Sequence, residues 1–205
     1  MQHLPLFPLP LVLFPGSTAP LHIFEPRYRR LVEDCLATER PFGLVYHDPD
    51  EQGPFLMEEG RVGTLARITE HRALPEGRSL ILARGDSRFA IQRDREMEHL
   101  YYEADVLPYE DASIPRLEAI REARARTLEL FVAVMEALDE SPGDTPGDMP
   151  QFDLNLDLSF QLAPAVHIDL RWQQSFLELR SEPARLERLD AVFQAAVEAR
   201  GPDIG

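Results

Sequence analysis

The run LPLFPLPLVLFPGSTAPLHIFEPRYRRLVEDCL, residues 4–36, decides the fold. Its first part is apolar but cut by Pro5, Pro8, Pro10, Pro15 and Pro20. Proline fixes φ and carries no N–H, so it breaks a helix and belongs at strand starts, edges and bulges. Leu4–Phe7, Leu11–Phe14 and Pro20–Phe24 therefore read as three short extended strands, with Pro15-Gly16 as a turn. The pattern then changes period. Pro26 suits a first helical turn, and Tyr28, Leu31, Val32, Cys35 and Leu36 form one apolar stripe at helical spacing. Arg27, Arg30 and Asp34 fall on other faces, and Pro41 closes the helix. Cys35 lies on the buried stripe and reads as a small core hydrophobe.

Strand signals resume after this helix. Phe42–Tyr46 is apolar. Val62, Thr64, Ala66 and Ile68 alternate with Gly63, Leu65, Arg67 and Thr69. Ser79–Ala83 reads as a strand covered on both faces. Arg88–Gln92 alternates again, with Phe89 and Ile91 on one side, and Arg84-Gly85-Asp86 between the two reads as a turn. Tyr102, Ala104 and Val106 form another strand. Residues 48–54, DPDEQGP, read as an exposed loop. The texture becomes helical near residue 113. A long helix is expected over Ile114–Glu140, striped by Leu117, Ile120, Leu128, Phe131, Met135 and Leu138, with Glu122 and Arg126 as an i,i+4 pair. SPGDTPGD, residues 141–148, breaks it. Shorter helices are expected over Leu154–Leu162, after a capping Asp169, and from Ser181. The fold class is α+β: a compact β-barrel or sandwich with one early helix over residues 1–112, then a helical part over 113–205.

Composition narrows the function. The chain has 205 residues and a formal charge of −15, which disfavours general binding to a phosphate backbone. All 21 basic residues are arginine. Without lysine there is no phosphate loop of the GxxxxGK[ST] type, no Ser–Lys dyad and no Schiff-base lysine. One cysteine excludes an internal disulfide and a multi-cysteine zinc site. It fits a reducing compartment, and a cytoplasmic location is expected. No apolar run approaches ~18 residues, so no membrane span is expected. The N-terminus has no basic n-region and is not expected to be a signal peptide. The six histidines lie at no metal-ligand spacing. His47-Asp48-x-Asp50-Glu51 is the densest ligand-like cluster and reads as a solvated turn. No metal site and no cofactor is expected.

Five segments in order, LPLFPLPLVLFPG (4–16), PLHIFEPRYRRLVEDCL (20–36), RPFGLV (40–45), VGTLARI (62–68) and RGDSRFAI (84–91), resemble the N-terminal, substrate-binding domain of the ATP-dependent Lon proteases. The resemblance implies a PUA-like pseudo-barrel followed by a helical bundle, as a stand-alone member lacking the ATPase and peptidase domains. It implies a non-catalytic module that binds polypeptide segments or a protein partner; the charge of −15 argues against nucleic acid, and no membrane is expected. An RNA-binding PUA-like module and a hydrolase with a spatially assembled triad are the alternatives. Within the resembling segments Glu25, Pro26, Tyr28, Gly63, Gly85, Arg88 and Phe89 read as structural residues. Glu25 and Arg88 are expected to fix the helix to the sheet as an ion pair. Phe24, Arg27 and Arg30 are the expected binding residues: an aromatic beside arginines is the composition favoured at recognition hot spots.

Overall fold

The structure, a computed structural model, describes residues 2–48, 50, 55–94, 100–112, 117–138, 151–153 and 156–199. The elements are β1 (Gln2–Leu9), β2 (Thr18–Ile23), α1 (Pro26–Thr38), β3 (Phe42–Tyr46), β4 (Val62–Ala73), β5 (Ser79–Asp94), β6 (Tyr102–Pro108), α2 (Leu117–Leu138), α3 (Leu158–Leu162), α4 (Leu170–Leu177) and α5 (Glu182–Ala199). The fold is α+β. Contacts divide it into two compact units, Met1–Glu110 with Pro164–Glu178, and Asp111–Ala163 with Leu179–Gly205. The sequence reading placed all of 113–205 in one helical part, whereas α4 packs within the sheet unit. Its Phe176 meets Phe14 edge-on at 5.8 Å, a contact between residues far apart in sequence.

In the sheet unit the strand order is β2-β5-β4-β3-β1-β6, and β6 pairs back onto β5. The ring β5-β4-β3-β1-β6 is thereby closed, which removes its edges. β2 stays outside the ring, paired with the first half of β5. The prolines of β1 fit because the strand changes partner. Pairing with β6 runs from Gln2 to Leu6 and pairing with β3 from Leu6 to Leu9. Pro5 and Pro8 each have a partner strand on one side only, so the missing N–H breaks no ladder. Alternation then buries both faces of β1. Leu4 and Leu6 join Val45, Phe89, Ile91, Ala104 and Val106, while Phe7 joins Tyr28, Leu31, Val32 and Cys35 of α1. A helix cannot sit inside a five-stranded ring, so the first cluster fills the lumen and the second lies under α1.

Two strand expectations are corrected here. Leu11–Phe14 is not a strand. Pro10 and Pro15 bracket it, the Thr64 hydroxyl donates to the Leu13 carbonyl (2.6 Å), and Ser17 donates to that of Phe14. Leu13 and Phe14 are nevertheless buried. Arg84-Gly85-Asp86 is not a turn but the middle of β5, which is 16 residues long. Opposite it the register slips between Thr64 and Ala66 of β4. Such a bulge bends a strand, so the first half of β5 serves β2 and the second half serves β6.

In the helical unit, Ile120, Phe131, Leu158, Leu162, Leu186, Leu189 and Phe193 are buried. α2 begins at Leu117; residues 114–116, 139–140 and the SPGDTPGD loop lie outside the described residues. The expected Glu122–Arg126 pair is replaced: Arg126 reaches Asp190 of α5 at 2.8 Å, and Thr127 donates to the same carboxylate. Asp190 is buried, and a buried carboxylate left unpaired is far costlier than a lost surface pair. Asp157 caps α3 and, within the sheet unit, Asp169 caps α4.

Candidate functional site

The expected binding residues stand where β2 runs into α1. Glu25 is the N-cap residue in extended backbone, and its carbonyl receives the amides of Tyr28 and Arg29. Its carboxylate makes no cap bond. It pairs instead with Arg27, at 2.8 Å. The expected Glu25–Arg88 pair is therefore not formed. Arg88 is buried, donates to the Leu177 carbonyl at 2.7 Å and lies over the Tyr109 ring. The carbonyl end of α4 attracts a cation, and Arg27 is the nearer partner for Glu25.

Tyr28, Leu31, Val32 and Cys35 are buried as expected, but Leu36 is 39% exposed. At i+8 from Tyr28 a residue has rotated roughly 80° off the stripe, because the helix repeats every 3.6 residues. Burial pushes the Cys35 thiol up to about 11, against the lowering effect of Arg40, and pushes Tyr28 up to about 12. The thiol is thus protonated at neutral pH.

The outer surface of this junction is apolar and arginine-rimmed. Phe24 is 57% exposed, and its ring lies 5.6 Å from that of His22. His22 is opposite Leu80 in the β2–β5 register, and Leu80 is exposed too. Residues opposite in register share a face, so His22, Phe24 and Leu80 make one exposed row. Arg27 stacks its guanidinium on Tyr28 (4.5 Å) and Arg30 pairs with Asp34. Both arginine side chains keep about half their surface in solvent, 40% and 55%.

The remaining motif residues build the ring. Gly63 faces Phe89 across β4–β5. A Cβ there would lie 2.6 Å from the Leu44 carbonyl oxygen and 2.7 Å from Phe89 Cζ. Gly85 is similarly closed in, by the Phe14 carbonyl oxygen at 2.5 Å. These positions are small because neighbouring backbone and a lumen phenylalanine occupy the space.

A second feature escaped the sequence reading. Tyr46, Asp48, Arg61, Arg171, Gln174, Ser175 and Glu178 line a polar cleft of about 280 Å³ in the sheet unit. Asp48, from the ligand-like cluster, is held by Arg171 at 2.7 Å. The Asp50 amide, then Arg171, lower its pKa. Glu51 lies outside the described residues. The only signal was spacing: 171, 174, 175 and 178 share one polar helix face, which resembles any solvated face. Among the described residues no group of three or more His, Cys, Asp or Glu is arranged to hold a metal ion. Among them, too, no helix is long and apolar enough to cross a membrane.

The comparisons agree with this architecture. The family model described as the ATP-dependent protease La (LON) substrate-binding domain matches residues 3–190. Lon protease 2 of Sorangium cellulosum is 34% identical over 129 residues, 62% of this chain and 15% of the relative. Lon protease of Rhizobium meliloti is 27% identical over 187 residues, 90% of this chain and 23% of the relative. The chain thus spans less than a quarter of the length of these relatives. The crystal structure of a Lon N-terminal domain protein from Xanthomonas campestris superposes with a TM-score of 0.63 at 27% identity, covering 93% of this chain and 98% of that one. The N-terminal domain of Mycobacterium avium complex Lon protease gives a TM-score of 0.66 at 16% identity, covering 94% and 98%, and shows the shared fold.

Proposed function

Because the chain belongs to the family of Lon substrate-binding domains, we propose that it is a non-catalytic recognition module that binds exposed polypeptide segments at the β2–α1 junction. One observation carries the choice of surface: Phe24, a large aromatic side chain, stands 57% exposed between the half-exposed Arg27 and Arg30 and the row of His22 and Leu80. An exposed aromatic that burial on a partner would desolvate, next to arginines that can bond main-chain carbonyls or acidic side chains, is hot-spot chemistry. No lysine is present in the 205 residues, so the chain itself holds neither the phosphate-loop lysine nor the Ser–Lys dyad. A cytoplasmic setting, where partly unfolded chains are met, fits this role. RNA binding is the weaker reading: Arg27 and Arg30 are each paired with a carboxylate in a chain of charge −15.

The test is fluorescence anisotropy with a labelled, permanently unfolded polypeptide, using its folded form as control. The unfolded form binds and the folded form does not. Phe24→Ala weakens binding about 30-fold, a typical hot-spot loss of ~2 kcal/mol. Arg27→Ala with Arg30→Ala weakens it further. Equal affinity of wild type and folded variants would remove this surface from the site.

A further inference from the structure

Closing the ring leaves β2 as a sheet edge. Among the described residues β2 pairs with β5 alone. Which of its backbone groups face outward follows from one bond: the Gly85 amide donates to the Ser17 carbonyl at 2.9 Å. Backbone polar groups alternate in direction along a strand, so those of Ala19, Leu21 and Ile23 face β5. Those of Thr18, Pro20 and His22 face outward, and all three residues are exposed. The free edge therefore offers two N–H donors, from Thr18 and His22, and three carbonyl acceptors, from Thr18, Pro20 and His22. Pro20 has no N–H to offer and sits in the middle.

The side chains beside this edge match an extended guest. Thr18–Phe24 carries no acidic residue, although the chain has a charge of −15. Its outer row of Pro20, His22 and Phe24 repeats every second residue, the period of a strand. A chain laid ~4.8 Å away in register would place every second side chain beside that row. The central proline blunts edge-to-edge association along the whole strand, the usual hazard of an open edge. It leaves enough donors and acceptors for one short segment.

We propose that the outer edge of β2 binds one extended, alternately apolar segment of the polypeptide as an added strand. The proposal rests on the polypeptide-recognition reading and specifies its mode: main-chain hydrogen bonds supply affinity and the Phe24 row supplies preference. An added strand presents only every second amide to β2. The other amides face solvent.

The probe is a fluorophore-labelled peptide of about eight residues alternating valine and serine, with two derivatives N-methylated on alternate amides, one set in each. Binding to the whole chain is read by anisotropy. One methylated set abolishes binding, and the other leaves affinity within about twofold, because only one set pairs with the edge. His22→Pro, which removes an outward donor and leaves pairing with β5 intact, weakens binding about tenfold. Pro20→Ala, which restores the missing donor, strengthens it about threefold or more; a gain cannot come from misfolding. Parent-like binding of both methylated peptides, or no gain from Pro20→Ala, overturns strand addition. So does failure of the parent peptide to bind. If the unfolded polypeptide still binds through Phe24 in those cases, the broader reading survives and only its mode falls; if neither binds, both fall. Self-association of the chain that His22→Pro abolishes, seen by sedimentation, would make a second copy the occupant and also overturn the proposal.

Discussion

Replacing Arg185 by Met should be the most damaging single change in the helical unit. Arg185 is wholly buried on α5, and all five of its N–H groups are used. Nε donates to Ser159 Oγ (2.8 Å), Nη1 to Asp111 Oδ1 (2.9 Å) and the Leu179 carbonyl (2.6 Å), and Nη2 to Asp111 Oδ2 (2.7 Å) and Asp157 Oδ2 (2.5 Å). The guanidinium also stacks 4.3 Å from the Phe160 ring. Methionine keeps much of the apolar stem and loses every donor. Breaking a buried ion pair from one side costs ~3–5 kcal/mol. Asp111 and Asp157 keep 26% and 29% of their side-chain surface in solvent, so water recovers part of that. The Leu179 carbonyl and Ser159 hydroxyl add ~1 kcal/mol each for a lost partner. With roughly 1–2 kcal/mol left for the partly hydrated ion pairs, the sum is about 3–4 kcal/mol. Lysine keeps the charge but offers three donors for five acceptors, so Arg185→Lys should cost about half as much. Urea unfolding followed by circular dichroism reads this: at a slope near ~2 kcal/mol/M the Met variant unfolds roughly 1.5–2 M earlier. A loss under ~1 kcal/mol, or equal losses for Met and Lys, would refute the view that a fully bonded guanidinium holds these helices.

Gly63→Ala should cost about 2–3 kcal/mol, since its Cβ meets a backbone oxygen that cannot swing aside. Gly16→Ala has open space around it and only a positive φ (83°) to strain, so the loss stays near ~1 kcal/mol by the same urea titration. Alkaline pH should weaken the sheet unit. Cys35 and Tyr28 hold their protons to about 11 and about 12 in the folded state. The unfolded chain releases them earlier, so their contribution is complete below the unfolded values and is lost as pH rises toward the folded ones. Melting temperature should fall between pH 9 and 11, and less steeply in Cys35→Ala; an identical slope would exclude the thiol. Asp169→Ala removes the carboxylate that receives the Trp172 amide (2.9 Å) and should cost about 1 kcal/mol in the same urea titration.

Periodicity made α1 and the run of strands legible, because prolines and apolar spacing act locally. Capping chemistry likewise marked the start of α4 at Asp169. What stayed hidden depends on distant partners. Arg84-Gly85-Asp86 has turn composition, and only pairing with Ala66 of β4 and with the Ser17 carbonyl makes it part of a strand. Arg126 has an acceptable partner four residues earlier, yet a buried Asp190 from another helix outbids it. Leu11–Phe14 has strand composition, but its carbonyls are claimed by Thr64 and Ser17. Phe24, named among the expected binding residues for its place beside the arginines, is exposed, and the proposed site turns on it. The polar cleft was not, since Asp48 and Arg171 lie 123 residues apart.

The geometry of β5 links these local facts to the proposed activity. One strand pairs with β2 through its first half and with β6 through its second, and the bulge between lets the ring close while β2 remains outside. Were Gly85 replaced by a larger residue, the bend would have to relax against the Phe14 carbonyl. The ring and the β2 wing would then compete for the same strand. Each ring strand is paired on both sides, whereas β2 is paired with β5 alone, so the wing should yield first. Gly85→Val is therefore expected to loosen β2 and reduce polypeptide binding while the lumen stays packed. Amide hydrogen exchange distinguishes the two regions: fast exchange at Ala19, Leu21 and Ile23 with slow exchange at Phe89 and Ile91 fits this order, and the reverse contradicts it. The proposed recognition thus depends on a glycine inside β5, far along the sequence from the residues that would touch the bound segment.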